Sequence, residues 1–325
     1  MNVIDKIRHI IDILKISHYT FYAYFFILLK HTQQTFKFMM TKEKNKLDFT
    51  LLTIGYAKHD GDWNFKNIKS PFARIHYILE GEANIIFQNT CIKLKADHMY
   101  LTPAHVHHGY ECSSKLSLFY IHIYENPERK SSIFDRYIFP KEIFADKFLL
   151  ELVKRLHSIN PGRELSIYDP KSYDNSSELM KNIALQINSP FALEAESQAI
   201  IQLLISRFLA GATSRIPDVD KRLSRVLDYI DDHLHQQISI DALADLTFLS
   251  KDHLIRLFKK QMDVTPMKYI NQKKIEKAQL MMLVDDINIQ EISFKLGFEN
   301  ISYFNRLFKK MTGENPTSYK RRIGR

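Results

Sequence analysis

Apolar residues recur at helical spacing twice in the C-terminal third of this chain, with matching polar residues between them. In the first stretch Leu254, Leu257, Phe258 and Met262 share one helical face, while Lys251, Asp252, Ile255, Arg256 and Lys259 point away from it. Further on, Phe304, Leu307, Phe308 and Met311 make the corresponding stripe, with Ile301, Ser302, Asn305, Arg306 and Lys309 on the outer face. Each stretch ends in a lysine pair, Lys259-Lys260 and Lys309-Lys310. Each is then followed at the same distance by a proline and a tyrosine, Pro266 and Tyr269 or Pro316 and Tyr319. Apolar, basic and helix-breaking positions agree together, so the pattern predicts one basic helical unit present in duplicate.

A shorter helical pattern precedes each copy. Around residues 239–246 Leu243, Ala244 and Leu246 repeat after Ser239, a capping residue type; around 288–296 Ile289, Ile292 and Leu296 repeat and end at Gly297. Ser250 and Asn300 are placed to cap the helices that follow. Short helix, tight turn and basic helix make a helix-turn-helix, here twice. Between the copies Thr265 and Pro266 open a long helix that runs to Val284. Such a helix is roughly 27 Å long, the right order to hold two reading helices near the ~34 Å that separates successive major-groove faces.

Charge follows the same pattern. The chain of 325 residues carries a net +9, and residues 250–325 hold sixteen Lys/Arg against eight Asp/Glu. The first 46 residues add a balance of +5, which leaves residues 47–249 slightly acidic. A basic surface concentrated on the duplicated unit points to a polyanionic partner.

These residues carry a family resemblance. The run from Ile238 to Tyr319 resembles the DNA-binding domain of the AraC/XylS family of bacterial transcription regulators. The match rests on Ser250 with Leu254-Ile255-Arg256-Leu257-Phe258-Lys259, then Thr265-Pro266, Tyr269, Ala278, Glu291-Ile292, Gly297-Phe298, Phe304-Asn305-Arg306-Leu307-Phe308-Lys309, Gly313 and Pro316. Asp263 and Thr247 stand where turn glycines are common, Lys274 where arginine is usual, and Ser293 where alanine is usual. The resemblance implies sequence-specific binding to promoter DNA, more often activating than repressing. It also implies RNA polymerase, a small-molecule effector and a second copy of the chain as partners, with no resident cofactor and a cytoplasmic location.

In a helix-turn-helix the outward, N-terminal residues of the second helix approach base edges and the flanking lysines take phosphates. That assigns Lys251, Asp252, Ile255 and Arg256 to bases, with Lys259 and Lys260 on phosphate, in the first copy. In the second it assigns Ile301, Ser302, Asn305 and Arg306 to bases, with Lys309 and Lys310 on phosphate. Arg256 and Arg306 are the residues suited to a bidentate contact with guanine.

From residue 47 to about 124 the period changes to two. Alternating runs at 49–54, 75–79, 83–87 and 116–123, broken by Glu80-Gly81-Glu82 and Thr102-Pro103, predict a small antiparallel barrel. This half resembles the cupin-type ligand-binding domain that precedes the paired motif in many members of the same family. The fold expected overall is therefore α+β and multidomain, an antiparallel cupin-like barrel with a helical segment followed by an all-α domain with two helix-turn-helix motifs. Arg74, His105, His108 and Tyr110 are the candidates to line an effector site in the barrel mouth. His105, His107 and His108 also raise a metal, and with it the alternative of a cupin metalloenzyme fused to a DNA-binding module. The paired histidines and glutamate of metal-binding cupins are missing around His76, so no metal is expected.

The remaining segments set the boundaries. Residues 1–46 are an extension, 47–139 the cupin-like domain, 140–212 a helical connecting region, 213–217 a linker and 218–325 the DNA-binding domain. Ile200, Leu203, Leu204 and Phe208 form a helical stripe in the connecting region, which the resemblance assigns to dimerisation. Residues 16–29 are rich in aromatics but shorter than the ~20 apolar residues a bilayer requires, so no membrane partner is expected, although a membrane-tethered sensor is the reading they would support. Met39 and Met40, just before a hydrophilic stretch, offer an alternative start of translation. Cys91 and Cys112 show no metal-ligand spacing and suit a reducing compartment. No nucleophile constellation, phosphate-binding glycine loop or paired catalytic carboxylates occurs, and the expected protein is not an enzyme.

Overall fold

In the computed structural model, which describes residues 47–129, 131–170, 177–215 and 220–322, the alternating half is a set of short antiparallel strands and the rest is mainly helical. The strands are β1 (Phe49–Asp60), β2 (Phe65–Ile68), β3 (Ala73–Gly81), β4 (Asn84–Phe87), β5 (Thr90–Lys93), β6 (His98–Thr102), β7 (His108–Glu111) and β8 (Lys115–Glu125). Helix α1 (Ile133–Arg136), β9 (Tyr137–Ile138) and β10 (Glu142–Phe144) follow. One sheet has the order β1-β8-β3-β6-β10 and the other β2-β7-β4-β5. The expected barrel is thus two separate sheets rather than one closed ladder.

Alternation explains how the sheets meet. Leu52, Ala57, Leu118 and Tyr120 of the first sheet share one cluster with Ile85, Phe87 and Tyr110 of the second. β1 is buried on most of its length because its other face is covered by α2 (Lys147–Ser158), α3 (Ser177–Ile187) and α4 (Phe191–Ala210). Ile200, Leu204 and Phe208 are buried in this packing, and Leu203 is half-buried. Each such side chain contributes about 1.5–3 kcal/mol by leaving water. The stripe that the sequence offered to a second copy is therefore occupied within the chain.

The segment read as a linker is partly structured. β11 (Thr213–Ser214) pairs with β9, and Arg215 Nη2 donates to the Phe134 carbonyl at 3.0 Å. Linker residues 216–217, the aromatic stretch 16–29 and the start at Met39 or Met40 lie outside the described residues.

The C-terminal helices are α5 (Lys221–His233), α6 (Ile240–Thr247), α7 (Lys251–Met262), α8 (Pro266–Val284), α9 (Ile289–Lys295), α10 (Ile301–Thr312) and α11 (Pro316–Arg322). All seven begin at a side-chain acceptor bound to a first-turn N–H, namely Asp220, Ser239, Ser250, Thr265, Asn288, Asn300 and Asn315. Asn288 and Glu291 complete a reciprocal capping box. α8 is common to both motifs. Its Ile270 packs with Leu223, Val226, Ile230, Leu243, Leu254 and Phe258. Its Ile275, Ala278, Met281 and Met282 belong with Ile292, Phe304, Phe308 and Tyr319. Two helix-turn-helix units therefore hang on one spine of 19 residues, about 28 Å long.

The turns correct one detail of the sequence reading. The left-handed residue between α6 and α7 is Phe248, at φ 55°, and not its neighbour Thr247. Thr247 is buried at the end of α6, where its hydroxyl donates to the carbonyls of Leu243 and Ala244 at 3.1 and 2.9 Å. Asp263, at φ 57°, does take the left-handed place at the end of α7, and Gly313, at φ 89°, takes it after α10.

Candidate nucleic-acid interface and interdomain cavity

Burial of Leu254 and Phe258 fixes the rotation of α7, and burial of Phe304 and Phe308 fixes that of α10. The opposite faces are then necessarily outward. Lys251, Asp252, Arg256, Lys259 and Lys260 are exposed on α7; Ile301, Ser302, Asn305, Arg306, Lys309 and Lys310 are exposed on α10. Ile255 is half-buried, which leaves less of it to meet a base than the helical pattern suggested.

The two faces differ in their state of engagement. The Lys251 ammonium is paired with Asp241 of α6, whose hydrogen bond and charge raise the lysine above its ordinary pKa. Arg256 Nε donates to the Asp252 carbonyl at 3.3 Å. On α10 the side chains of Asn305, Arg306, Lys309 and Lys310 have no partner among the described residues. Sequence reasoning passed over two exposed aromatics here. Tyr303 is 44% exposed beside Ser302, its hydroxyl accepting from Asn271 Nδ2 at 3.4 Å, and Phe248 is 92% exposed in the turn before α7. Tyr303 carried a signal, since it follows Ser302 on the same helix; Phe248 carried none.

A cavity of about 390 Å3 lies between the sheets and the spine helix. Pro103, His105, Val106, Tyr124, Glu125, Phe134 and Asp135 wall one side; Leu234, Met262, Val264, Tyr269, Lys273, Glu276, Lys277 and Leu280 wall the other. The α8 residues recur at intervals of three and four, which puts them on one face, while Ile270, Ile275, Ala278 and Met282 face the helical cores.

The central charges of the cavity are paired. Lys273 Nζ lies 2.6 Å from Asp135 and 2.8 Å from Glu276, a triad joining the β region to the spine. Burial would lower the lysine, but the two carboxylates outweigh it and hold its pKa above the ordinary value. Burial would raise Glu276, yet Lys273 holds it down at about 2. His105, left-handed at φ 61°, is lowered to about 4 chiefly by burial. Glu125 is pushed up to about 7 by burial, even though it accepts the Ile133 N–H at 2.8 Å and the Ser132 hydroxyl. Lys277 donates to the Arg129 carbonyl at 3.2 Å, and burial lowers it. At neutral pH the wall thus presents a locked ion triad, an uncharged imidazole and a carboxyl poised between its two forms.

Of the four predicted effector residues, the structure brings only His105 to this cavity. Arg74 is buried, donates to Ser70 Oγ at 2.7 Å and lies over the Phe72 ring at 4.8 Å. His108 Nε2 is 3.0 Å from the Tyr110 hydroxyl, and Tyr110 stacks on Trp63 at 3.9 Å. These three lie in the packing between the sheets. His105, His107 and His108 diverge, His107 being exposed and His108 buried, and among the described residues no group of three His, Cys, Asp or Glu is placed to hold a metal ion. Cys91 is exposed and Cys112 buried, both free. No helix among the described residues is long and apolar enough to cross a membrane.

Comparison with known proteins bears on both halves. The AraC-like ligand binding domain family matches residues 51–204, and the helix-turn-helix domain family matches residues 243–322. The arabinose operon regulatory protein of Escherichia coli (strain K12) is 31% identical over 120 residues, 37% of this chain and 41% of that protein. The HTH-type transcriptional activator RhaS of Citrobacter koseri is 27% identical over 134 residues, 40% of this chain and 47% of its own length. The chain thus spans under half the length of these relatives. Among solved structures, ToxT from Vibrio cholerae superposes with a TM-score of 0.44 and 14% identity over 86% of this chain and 100% of that one. The DNA-binding domain of AdpA, in complex with a target DNA, gives a TM-score of 0.30 and 22% identity over 31% of this chain and 90% of that one.

Proposed function

The chain belongs to the AraC/XylS family, and from that premise we propose that it is an effector-responsive, sequence-specific regulator of transcription, acting as an activator. In this reading α7 and α10 enter two adjacent major-groove segments of promoter DNA. What supports it above all is the duplicated exposed basic face, set by the same buried positions in both units and carried on one rigid spine. Arg256 and Arg306 contact guanine, Asn305 and Ser302 read neighbouring base edges, and Lys259, Lys260, Lys309 and Lys310 take phosphates. Lys251, Asp252, Ile255 and Ile301 complete the reading set, Ile301 with the larger apolar surface for a thymine methyl.

The effector site in this proposal is the cavity between the sheets and α8, with His105, Glu125, Lys273 and Glu276 on its wall. A ligand there touches the spine that carries both motifs, so binding has a direct route to their geometry. Arg74, His108 and Tyr110 act as support for the β region. RNA polymerase and a second copy of the chain are the protein partners, and the location is cytoplasmic. For the homodimer, the surface of the helical region offers Phe148, 52% exposed, and Phe191, 82% exposed.

The test is selection of random-sequence duplex DNA with the full chain, followed by salt titration. An enriched two-part site with halves about one helical turn apart, weakened at one half by Arg256→Ala and at the other by Arg306→Ala, is the expected result. Binding that is salt-sensitive without sequence preference overturns the reading.

A further inference from the structure

A shared helix fixes how far apart two units stand, and the faces it buries against each set their approximate rotation about its axis; a direct contact between the units sets it finely. The chain supplies one at Lys274. This lysine is 4% exposed, on the face of α8 turned away from the cavity. Its Nζ donates to the Gln236 carbonyl at 2.8 Å, in the turn that leads into the first unit, and makes a long 3.5 Å contact with the Gly297 carbonyl, in the turn of the second. It also lies over the Phe298 ring at 4.9 Å.

Gly297 marks the same junction independently. At φ 65°, a Cβ there would meet the Gln236 backbone at 2.5 to 2.7 Å, so main chain of the second unit lies against main chain of the first. Burial lowers Lys274 to about 8, with no neighbouring charge among the causes. The ammonium is held by carbonyl oxygens and a ring rather than by a carboxylate, an arrangement whose yield is the positioning of two backbones rather than ion-pair stability.

We propose that Lys274 is the positioning residue that sets the mutual orientation of the two helix-turn-helix units, and through it the half-site spacing that the chain accepts on DNA. This rests on the DNA-binding reading above.

The experiment uses the full chain and the two-part duplex obtained by selection, together with duplexes in which the halves are moved by one or two base pairs and one in which a single half is scrambled. Wild type is expected to favour the selected spacing over the scrambled duplex by on the order of a hundredfold. Lys274→Met lowers that preference by about tenfold and flattens it across spacings, while binding to the one-half duplex stays the same. Lys274→Arg restores it, since guanidinium reaches both carbonyls. Gly297→Ala, which pushes the same two backbones apart, shifts the preferred spacing and gives a second route should Lys274→Met fail to fold. A folded Lys274→Met with wild-type spacing preference overturns the proposal, as does equal loss on the two-part and one-half duplexes. If wild type itself selects no site, it is the DNA-binding reading that fails.

Discussion

Phe258 and Phe308 occupy the same place in the two helix-turn-helix units and both are wholly buried, yet the turns leading into their helices are built differently. In the second unit the left-handed residue is Gly297, with the Gln236 backbone so close that no side chain fits. In the first it is Phe248, 92% exposed, where only the conformation is costly. A left-handed non-glycine residue costs about 1–2 kcal/mol. The glycine is therefore demanded by a neighbour, whereas the phenylalanine is merely tolerated. Duplicated units keep what their cores impose and diverge where the surroundings of each copy differ.

The strongest way to break this equivalence is through the cores. Phe258→Ala and Phe308→Ala should each cost about 3–5 kcal/mol, read by urea unfolding of the full chain. A cost below about 1 kcal/mol at one site alone would mean that the two cores are not equivalent. Gly297→Ala comes next, at roughly 2–4 kcal/mol, because left-handed strain adds to a backbone clash. A loss no larger than that of Gly313→Ala, where an added Cβ meets nothing within 4 Å, would show that the Gln236 contact is not what requires the glycine.

How much of this could be read in the sequence follows from where each feature's cause lies. The stripes, the capping residues Ser239, Ser250, Thr265 and Asn300 and the spine's start at Thr265-Pro266 are local, and they stand as expected. Strand alternation found β1, β3, β4 and β8, and it did not disclose that β6 would pair with β10 rather than close a ring. The cavity was invisible, because one wall comes from β8 and α1 and the other from α8, well over a hundred residues later. Alternation could place Arg74, His108 and Tyr110 inward, but it could not tell filled interior from open space. Lys274 was noticed as a departure from arginine, while its two carbonyl partners come from separate units and leave no local trace.

The reading arginines sharpen the comparison in another way. Arg256→Ala and Arg306→Ala should each weaken specific DNA binding by about 1–3 kcal/mol, measured on the selected site. Arg306 starts without a partner among the described residues, and Arg256 from a hydrogen bond to its own helix. The larger loss is therefore expected at Arg306. A larger loss at Arg256 would mean that its internal bond orients the side chain for DNA rather than competing with it.

Phe248→Gly should act in the opposite sense on stability, raising it by about 1 kcal/mol, since the exposed ring gives up almost no packing. A thermal midpoint that falls instead would show that the ring is held by a contact in solution.

The smallest effect belongs to the pair that separates the reading faces, Lys251 with Asp241. Both side chains are more than half exposed, so Asp241→Asn should leave the thermal midpoint unchanged. Its consequence appears on DNA, where a released Lys251 becomes available to a phosphate. One additional phosphate contact steepens the slope of log binding constant against log salt by about 0.9. An unchanged slope would place Lys251 off the phosphates even when free, and would leave the first unit's phosphate contacts with Lys259 and Lys260 at the far end of α7.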